Sequence, residues 1–220
     1  MHNAYAIAES RRKLQQLVSA VVFVAVISLG WVYPLLGYFI PLCMLLGVGI
    51  AFFKGRKWCD WACPRGSFYD ALIKPISAKK QIPRFFKSEP FRIIALVLLM
   101  TVMGINLSLR WPNPYRIGLL FVGLLTVTTT IGIGLALFVH QRTWCSFCPI
   151  GSLAHWVGGG RLPLRIDSQE CVECKVCHKV CPIQLSPYTF KKDSVEIVRE
   201  RDCLKCNLCV MACPKKALSR

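Results

Sequence analysis

Residues 14–53 read LQQLVSAVVFVAVISLGWVYPLLGYFIPLCMLLGVGIAFF and contain no Asp, Glu, Lys or Arg. A helix needs about 20 apolar residues to cross the hydrocarbon core of a bilayer, so this stretch has the length of two crossings. Pro34 and Gly37, near its middle, favour a turn. Polar residues do not recur along it at a helical period, as they do in surface helices of soluble proteins. The stretch predicts two transmembrane helices, over about 14–33 and 35–53.

Two more uncharged apolar runs follow, over 93–109 and 117–139, and bring the predicted transmembrane helices to four. The composition agrees, because 54% of the residues are hydrophobic and only 18% are charged. Such a chain is not disordered. The net charge is nevertheless +17. Long uncharged runs are not typical of proteins that bind nucleic acid, so we expect the positive charge to reflect membrane topology and attraction to anionic lipid.

Lys and Arg are distributed unevenly among the connections between these runs. The connection over 54–92 holds ten of them, the connection over 110–116 holds two, and the turn near Pro34 holds none. Positively charged connections stay in the cytoplasm. We therefore expect a multi-pass protein of the inner (cytoplasmic) membrane with both termini inside. A basic segment before the first run resembles a signal peptide, but the run continues into a second span, so we expect an uncleaved anchor.

The last sixty residues are polar and contain two matched cysteine runs, each of which ends in Cys-Pro. The first consists of Cys171, Cys174, Cys177 and Cys181, and the second of Cys203, Cys206, Cys209 and Cys213. Both follow C-x2-C-x2-C-x3-C-P, and so resemble the bacterial two-cluster ferredoxins. We therefore predict a four-helix transmembrane domain over 1–160, all-α, and a small α+β ferredoxin-like domain over 161–220. So short a domain buries little surface, so two [4Fe–4S] clusters are expected to supply most of its core.

The ferredoxin resemblance also implies which cysteines share a cluster, because the fourth cysteine of each run ligates the other cluster. It assigns one cluster to Cys171, Cys174, Cys177 and Cys213, and the other to Cys203, Cys206, Cys209 and Cys181. Two other metal sites fit parts of the pattern. Cys174 to His178 match the haem attachment motif C-x-x-C-H, but on the side of the membrane where haem is not attached. Structural zinc fits single C-x-x-C pairs, but it does not explain two matched runs of four.

A second cysteine pattern is an internal repeat. Residues 56–67 read RKWCDWACPRGS and residues 142–152 read RTWCSFCPIGS, and each segment follows a predicted helical hairpin. We expect the four turn cysteines to meet at one place beneath the bilayer; they are Cys59, Cys63, Cys145 and Cys148. Three interpretations remain open: a further shared iron–sulfur or metal site, redox-active dithiols, or a tight turn at the lipid interface, where Trp is common. Cys43, alone within a span, is interpreted as a packing residue.

On these motifs the chain resembles the NapH-type membrane subunits of quinol dehydrogenases, and the membrane halves of NosR-like and MauN-like proteins are similar. The second turn departs from the family's C-x3-C-P by one residue. The resemblance implies a membrane-bound electron-transfer protein that connects the (mena)quinone pool with other redox proteins, as a subunit of a quinol dehydrogenase or respiratory complex. Two alternatives are an assembly or maturation factor for a metalloenzyme, and a structural relay subunit without its own quinone site.

The remaining polar residues give candidates for a quinone site. Haem b needs two facing axial ligands, which the spans do not offer, and no glycine motif for flavin or nucleotide is present, so none of these cofactors is expected. The candidate headgroup ligands on the inner side are His140, Arg142 and His155. An alternative set on the outer side consists of Asn106, Trp111, Asn113, Tyr115 and Arg116. The connection over 68–86 is expected to lie along the membrane surface or to form a simple cytoplasmic loop.

Overall fold

The computed structural model describes residues 2–192 and 194–220. Four helices in it are long and apolar enough to cross a membrane, over Glu9–Gly30, Pro34–Lys54, Glu89–Arg110 and Pro114–Phe138. They confirm the four predicted membrane helices. Each begins one to five residues before its predicted span, because helical hydrogen bonding continues into polar residues that an apolar pattern does not include, whereas the first helix ends three residues and the fourth one residue earlier than predicted.

The regular elements of the first half of the chain are all helical. Its elements are α1 (His2–Gly30), a 3₁₀ turn (Pro34–Tyr38), α2 (Phe39–Lys54), α3 (Lys57–Trp61), α4 (Pro64–Phe68), a π-helical turn (Tyr69–Ile73) and α5 (Arg84–Lys87). The second hairpin repeats this order with α6 (Glu89–Arg110), α7 (Pro114–Phe138), α8 (Thr143–Phe147) and α9 (Pro149–Gly158). A short helix and a Cys-Pro helix start thus follow each hairpin, as the sequence repeat predicts. Proline suits this position because the first helical residue needs no N–H partner.

The segment from α4 through the π-helical turn packs among the long helices. Tyr69 is fully buried, and its hydroxyl donates to the carbonyl of Thr129 in α7 at 3.3 Å. Tyr69 and Ile73 share a core with Ala136 and Trp144. The first part of the 68–86 connection therefore lies neither along the membrane surface nor in a free loop. An apolar pattern in a connection does not reveal this, since both surroundings accept the same side chains.

The last part of the chain contains a small antiparallel sheet and two short helices. Strands β1 (Leu164–Asp167), β2 (Val195–Val198) and β3 (Leu218–Ser219) pair in the order β2-β1-β3. Helices α10 (Val176–Lys179) and α11 (Leu208–Ala212) carry the third cysteine of each run. Leu164, Ile166 and Val198 form a core around Cys177. This α+β region after an all-α helix bundle confirms the predicted fold class.

Candidate functional site

The two cysteine runs of the last sixty residues surround two neighbouring cavities. A cavity of about 380 Å³ is lined by Cys171, Cys174 and Cys177 of the first run and by Cys213 of the second. A cavity of about 450 Å³ is lined by Cys203, Cys206 and Cys209 of the second run and by Cys181 of the first. The structure thus groups the eight cysteines in the same two sets that the ferredoxin resemblance implies.

The backbone around these cavities has the same unusual conformation in both runs. Glu173 and Lys175, which flank the second cysteine of the first run, have φ of 53° and 60°. Lys205 and Asn207, at the equivalent positions of the second run, have φ of 58° and 64°. Alternation between right- and left-handed residues turns successive N–H groups toward one point and forms the concave nests that hold anions and iron–sulfur centres. The residues present therefore fit a negatively charged cluster in each cavity.

The spacing of the thiols also fits a cluster. Within residues 2–192 and 194–220, no three His, Cys, Asp or Glu side chains are arranged to hold a single metal ion. A [4Fe–4S] cluster takes its four thiolates at four separate iron atoms, so its ligands surround a cavity and do not converge on one point.

The two cysteine turns of the membrane domain contact each other reciprocally: the first arginine of each turn donates a hydrogen bond to the other turn. Arg56, at the start of the first turn, donates through Nη2 to the carbonyl of Cys145 at 2.8 Å. Arg142, at the start of the second, donates through Nη1 to the carbonyl of Cys59 at 2.9 Å. Both arginines are fully buried. The two turns are therefore structurally equivalent, although the second is one residue shorter.

The glycine of each turn makes these reciprocal contacts possible. A Cβ atom at Gly66 would lie 2.8 Å from Nη1 of Arg142, and one at Gly151 would lie 3.0 Å from Nη2 of Arg56. Any larger residue at either position would displace the arginine of the opposite turn. This explains the glycine in both copies of the C-P-x-G-S pattern.

The turn cysteines lie near one another, Cys59 buried and Cys63, Cys145 and Cys148 half-buried. Burial raises the pKa of the Cys63 thiol to about 12, and the charges of Cys59, Cys145 and Cys148 act on it in the same direction. Burial also raises the pKa of Cys59 and Cys145, against the opposing charges of the two arginines. Three buried hydroxyls at the turns have no hydrogen-bond partner in the described part of the chain; they belong to Ser67, Ser146 and Ser152. Hydroxyl donors and two guanidinium groups beside four thiols fit a negatively charged iron–sulfur group.

Two of the inner quinone candidates, His140 and Arg142, contact each other, whereas His155 lies in a different set of polar contacts. His140 accepts a hydrogen bond at Nδ1 from the backbone N–H of Arg142, and burial lowers its pKa to about 4. The Arg142 guanidinium binds both carboxylate oxygens of Asp70, at 2.9 and 2.7 Å. His155 contacts Asp202 and Glu89. The structure does not bring these three candidates together around a shared cavity.

The outer candidates have local structural roles. Asn113 caps α7 by accepting hydrogen bonds from the N–H groups of Tyr115 and Arg116. Asn106 pairs with Arg110 within α6. Trp111 is 74% exposed, as expected for an aromatic residue at a membrane interface.

The buried arginine of each turn forms an ion pair with a carboxylate, but the two carboxylates come from different parts of the chain. In the first half, Asp70 lies seven residues after Cys63 and pairs with Arg142 and Arg12. Burial raises the pKa of Asp70, but these two arginines lower it to a final value of about 2. The equivalent position of the second half, seven residues after Cys148, is His155, which cannot supply a negative charge.

Asp202, directly before Cys203, supplies the missing carboxylate. It contacts Arg56 at 2.5 Å, Arg92 at 2.5 Å and His155 Nδ1 at 2.8 Å. Burial raises the pKa of Asp202, yet the His155 hydrogen bond and the two arginines hold it far below its ordinary value. The carboxylate thus connects the ferredoxin-like region to both halves of the membrane domain, through Arg56 of the first turn and through Arg92 and His155 of the second half. Sequence reasoning missed Asp202, although alignment of the two repeats would have shown that the second lacks an acid.

An apolar interface next to this ion pair joins the same two regions. Cys59 and Ile82 share a buried core with Ile183, Leu185 and Leu204, against which Cys181 and Cys203 pack. The Gln184 side chain accepts from the N–H of Ile82 and donates to the carbonyl of Lys80, both at 2.9 Å. The cavity that Cys181 and Cys203 line is therefore the nearer of the two to the turn cysteines.

Comparison with known proteins identifies iron–sulfur sequence in both parts of the chain. A family model described as a 4Fe-4S binding domain matches residues 36–83 and 117–166. A model described as a 4Fe-4S dicluster domain matches residues 170–218. Each match of the first model contains one cysteine turn, and the match of the second contains both cysteine runs. No solved structure matches the chain.

Several known proteins are similar in sequence. The chain is 28% identical to an uncharacterized protein of Methanocaldococcus jannaschii, over 70% of this chain and 62% of that protein. It is 29% identical to the methylamine utilization ferredoxin-type protein MauN of Methylobacillus flagellatus, over 59% of this chain and 49% of MauN. It is 27% identical to the ferredoxin-type protein NapH of Escherichia coli, over 58% of this chain and 47% of NapH. The matches thus span about half to two thirds of the relatives' length.

A bundle of membrane helices joined to a dicluster ferredoxin-like region defines the class of this protein. It is a membrane iron–sulfur protein with two [4Fe–4S] clusters. Within that class, the chain is a NapH- and MauN-like protein, which confirms the resemblance stated from its motifs.

Proposed function

We propose that this protein passes electrons between the (mena)quinone pool and other redox proteins, as a subunit of a quinol dehydrogenase or respiratory complex. One observation carries the proposal: Cys59 of the first membrane turn lies in the same core as Cys181 and Cys203 of the ferredoxin-like region. This contact provides a short connection from the membrane interior to the polar end of the chain. Quinol releases two electrons and two protons, and an iron–sulfur cluster supplies one-electron transfer when bound.

The ligand assignment forms part of this proposal. Cys203, Cys206, Cys209 and Cys181 hold the cluster next to the membrane domain. Cys171, Cys174, Cys177 and Cys213 hold the outer one, where Cys174 is exposed and an electron-transfer partner has access. A third iron–sulfur cluster is held by Cys59, Cys63, Cys145 and Cys148. The closeness of the four thiols, the unpartnered hydroxyls around them and the match of a 4Fe-4S family model to both turns support this site.

The third site gives a prediction about iron content. Anaerobically purified protein is expected to contain about twelve iron atoms per chain, since each of three clusters holds four. Replacement of both Cys59 and Cys145 by Ser is expected to lower this value to about eight. Iron and acid-labile sulfide analysis measures both. A wild-type value near eight that is the same in the double variant would contradict a cluster at the turns.

The orientation is a proposal of its own, supported by the distribution of Lys and Arg. Both termini and the ferredoxin-like region lie in the cytoplasm, so Ser88 lies inside and Asn113 outside. We expect a cysteine introduced at Asn113, and not one at Ser88, to react in intact cells with a membrane-impermeant thiol reagent. Lysed cells, in which both sites are accessible, provide the control. Labelling at Ser88 alone would reverse the orientation.

Quinol oxidation tests the central proposal directly. The cluster-loaded chain in lipid nanodiscs is mixed with menadiol under anaerobic conditions, and bleaching of the iron–sulfur absorbance is followed. We expect reduction that saturates with menadiol concentration. Full cluster loading without any reduction would instead support an assembly factor or a relay subunit without its own quinone site.

A further inference from the structure

An apolar cavity lies among the membrane helices, apart from the inner and outer quinone candidates. Side chains of α1, α2, α6 and α7 line it, and it encloses about 920 Å³, part of which is open to the surroundings. None of His140, Arg142 and His155 is among its lining residues. Its apolar walls are typical of sites that bind small organic molecules.

Arg65 is the charged residue in the wall of this cavity. Its Nη2 donates to the Thr128 hydroxyl at 2.7 Å. Thr128 lies ten residues before the end of α7, about 15 Å along the helix axis. The guanidinium group therefore reaches well into the bundle, although Arg65 itself belongs to the cysteine turn. A cation at such a depth is costly and marks a functional site.

Arg65, which is half-buried, also differs from the buried arginines near the turns. Arg12, Arg56, Arg92 and Arg142 all form ion pairs with carboxylates. In the described part of the chain, Arg65 forms none and has only Thr128, the carbonyl of Leu125 and the Trp144 ring as partners. A guanidinium group carries five N–H donors, so donors remain for a ligand.

Two further features of the cavity wall indicate the kind of ligand. Trp144 lines the cavity and is only 5% exposed, and the Arg65 guanidinium carbon lies 5.5 Å from the centroid of its ring. The remaining N–H donors of Arg65 suit carbonyl oxygens. Cys63 and Cys148 line the same cavity, so a bound molecule lies beside the turn cysteines. Donors for carbonyl groups, apolar walls for a hydrocarbon tail and neighbouring redox groups together match a quinone.

We propose that the cavity binds a membrane quinone, with its headgroup carbonyl bound by Arg65, which Thr128 holds in place, next to Cys63 and Cys148. The inference rests on the proposed function and gives it a site. Arg65 holds the quinone oxygen through charge-assisted hydrogen bonds, and the Thr128 hydroxyl fixes the guanidinium in place. The apolar side chains of the four helices surround the tail and exclude water.

Two measurements on the cluster-loaded chain in nanodiscs test this site. The first is the menadiol concentration that gives half-maximal reduction. We expect Arg65→Met to raise it by about tenfold or more, because a hydrogen bond to a charged donor is lost. Thr128→Val, which removes only the hydroxyl, is expected to raise it by a smaller factor. Arg84→Met removes the same charge from an exposed position in the connection before α6 and is the matched control, with no expected change.

The second measurement does not depend on electron transfer. An azido-naphthoquinone is photolysed with the protein, and the labelled peptides are identified by mass spectrometry. We expect the label on peptides of α2 and α7. The extent of labelling should be lower in the Arg65→Met variant than in the wild type and unchanged in the Arg84→Met variant. Labelling of these peptides without menadiol oxidation would support the site and reject the proposed function. Menadiol oxidation with an unchanged concentration dependence in Arg65→Met, or with labels elsewhere, would keep the proposed function and overturn the site. A changed cluster potential with unchanged menadiol dependence would instead show that Arg65 balances the thiolates, and would also overturn it.

Discussion

Replacement of Cys181 by Ala is expected to remove the cluster of the second cysteine run and to leave that of its own run. The physical reason is that Cys181 lines the cavity of Cys203, Cys206 and Cys209, whereas Cys213 completes the cavity of the first run. About four iron atoms per chain should be lost. In paramagnetic resonance of the reduced protein, the magnetic coupling between the two neighbouring clusters should disappear.

A comparison of spectra makes the crossed arrangement testable. Cys181→Ala and Cys206→Ala are expected to leave the same residual signal, and Cys213→Ala and Cys174→Ala are expected to share a different one. Cys43→Ala, in α2, is the control for cysteine removal and should retain both signals. If the Cys181→Ala spectrum instead matched that of Cys174→Ala, each run would hold its own cluster and the crossed assignment would be wrong. With either result, a fraction of the protein is expected to have an unfolded ferredoxin-like region, because the clusters supply part of its core.

Replacement of Asp202 by Asn is expected to weaken the attachment of the ferredoxin-like region to the membrane domain by about 3–5 kcal/mol. Arg56 and Arg92 are both fully buried, and the change leaves their charges without the carboxylate they contact. Removal of one partner from a buried ion pair costs far more than removal of an exposed charge, because the remaining charge stays out of water. The docked state should become more than about a hundredfold less favoured.

Hydrogen exchange measured by mass spectrometry reports on this attachment. The expected result is faster exchange in the peptides over 78–88 and 181–186, which pack against each other in the wild type. Glu196→Gln removes the same charge from β2 of the same region, where the side chain is partly exposed, and should change little. Unchanged exchange in Asp202→Asn would mean that the apolar interface alone holds the two regions together. Slower quinol reduction of the outer cluster should accompany undocking if the proposed electron route is correct.

Much of this architecture follows from local patterns in the chain. The length of each uncharged run predicts a membrane helix, because a helix must have a minimum length to cross the bilayer. The cysteine runs are equally local, since the ligands of one loop lie two or three residues apart. The repeat of R-x-W-C and C-P-x-G-S also predicted two equivalent turns, and the reciprocal hydrogen bonds of Arg56 and Arg142 give this its physical basis.

Contacts between distant segments were decided only by the tertiary structure. Arg56 and Asp202 lie 146 residues apart, and Arg65 and Thr128 lie 63 apart. No periodicity or spacing in the sequence predicts that such pairs are in contact. From sequence alone, an arginine near a membrane is equally consistent with a topology signal and with a ligand-binding residue. His140, Arg142 and His155 illustrate this, because their residue types suit a quinone, whereas the structure places none of them in the wall of the apolar cavity. The sequence thus determined which helices and cysteine sets exist. Packing determined which buried charges have partners, because the free energy of a buried charge depends on the neighbours that the fold brings to it.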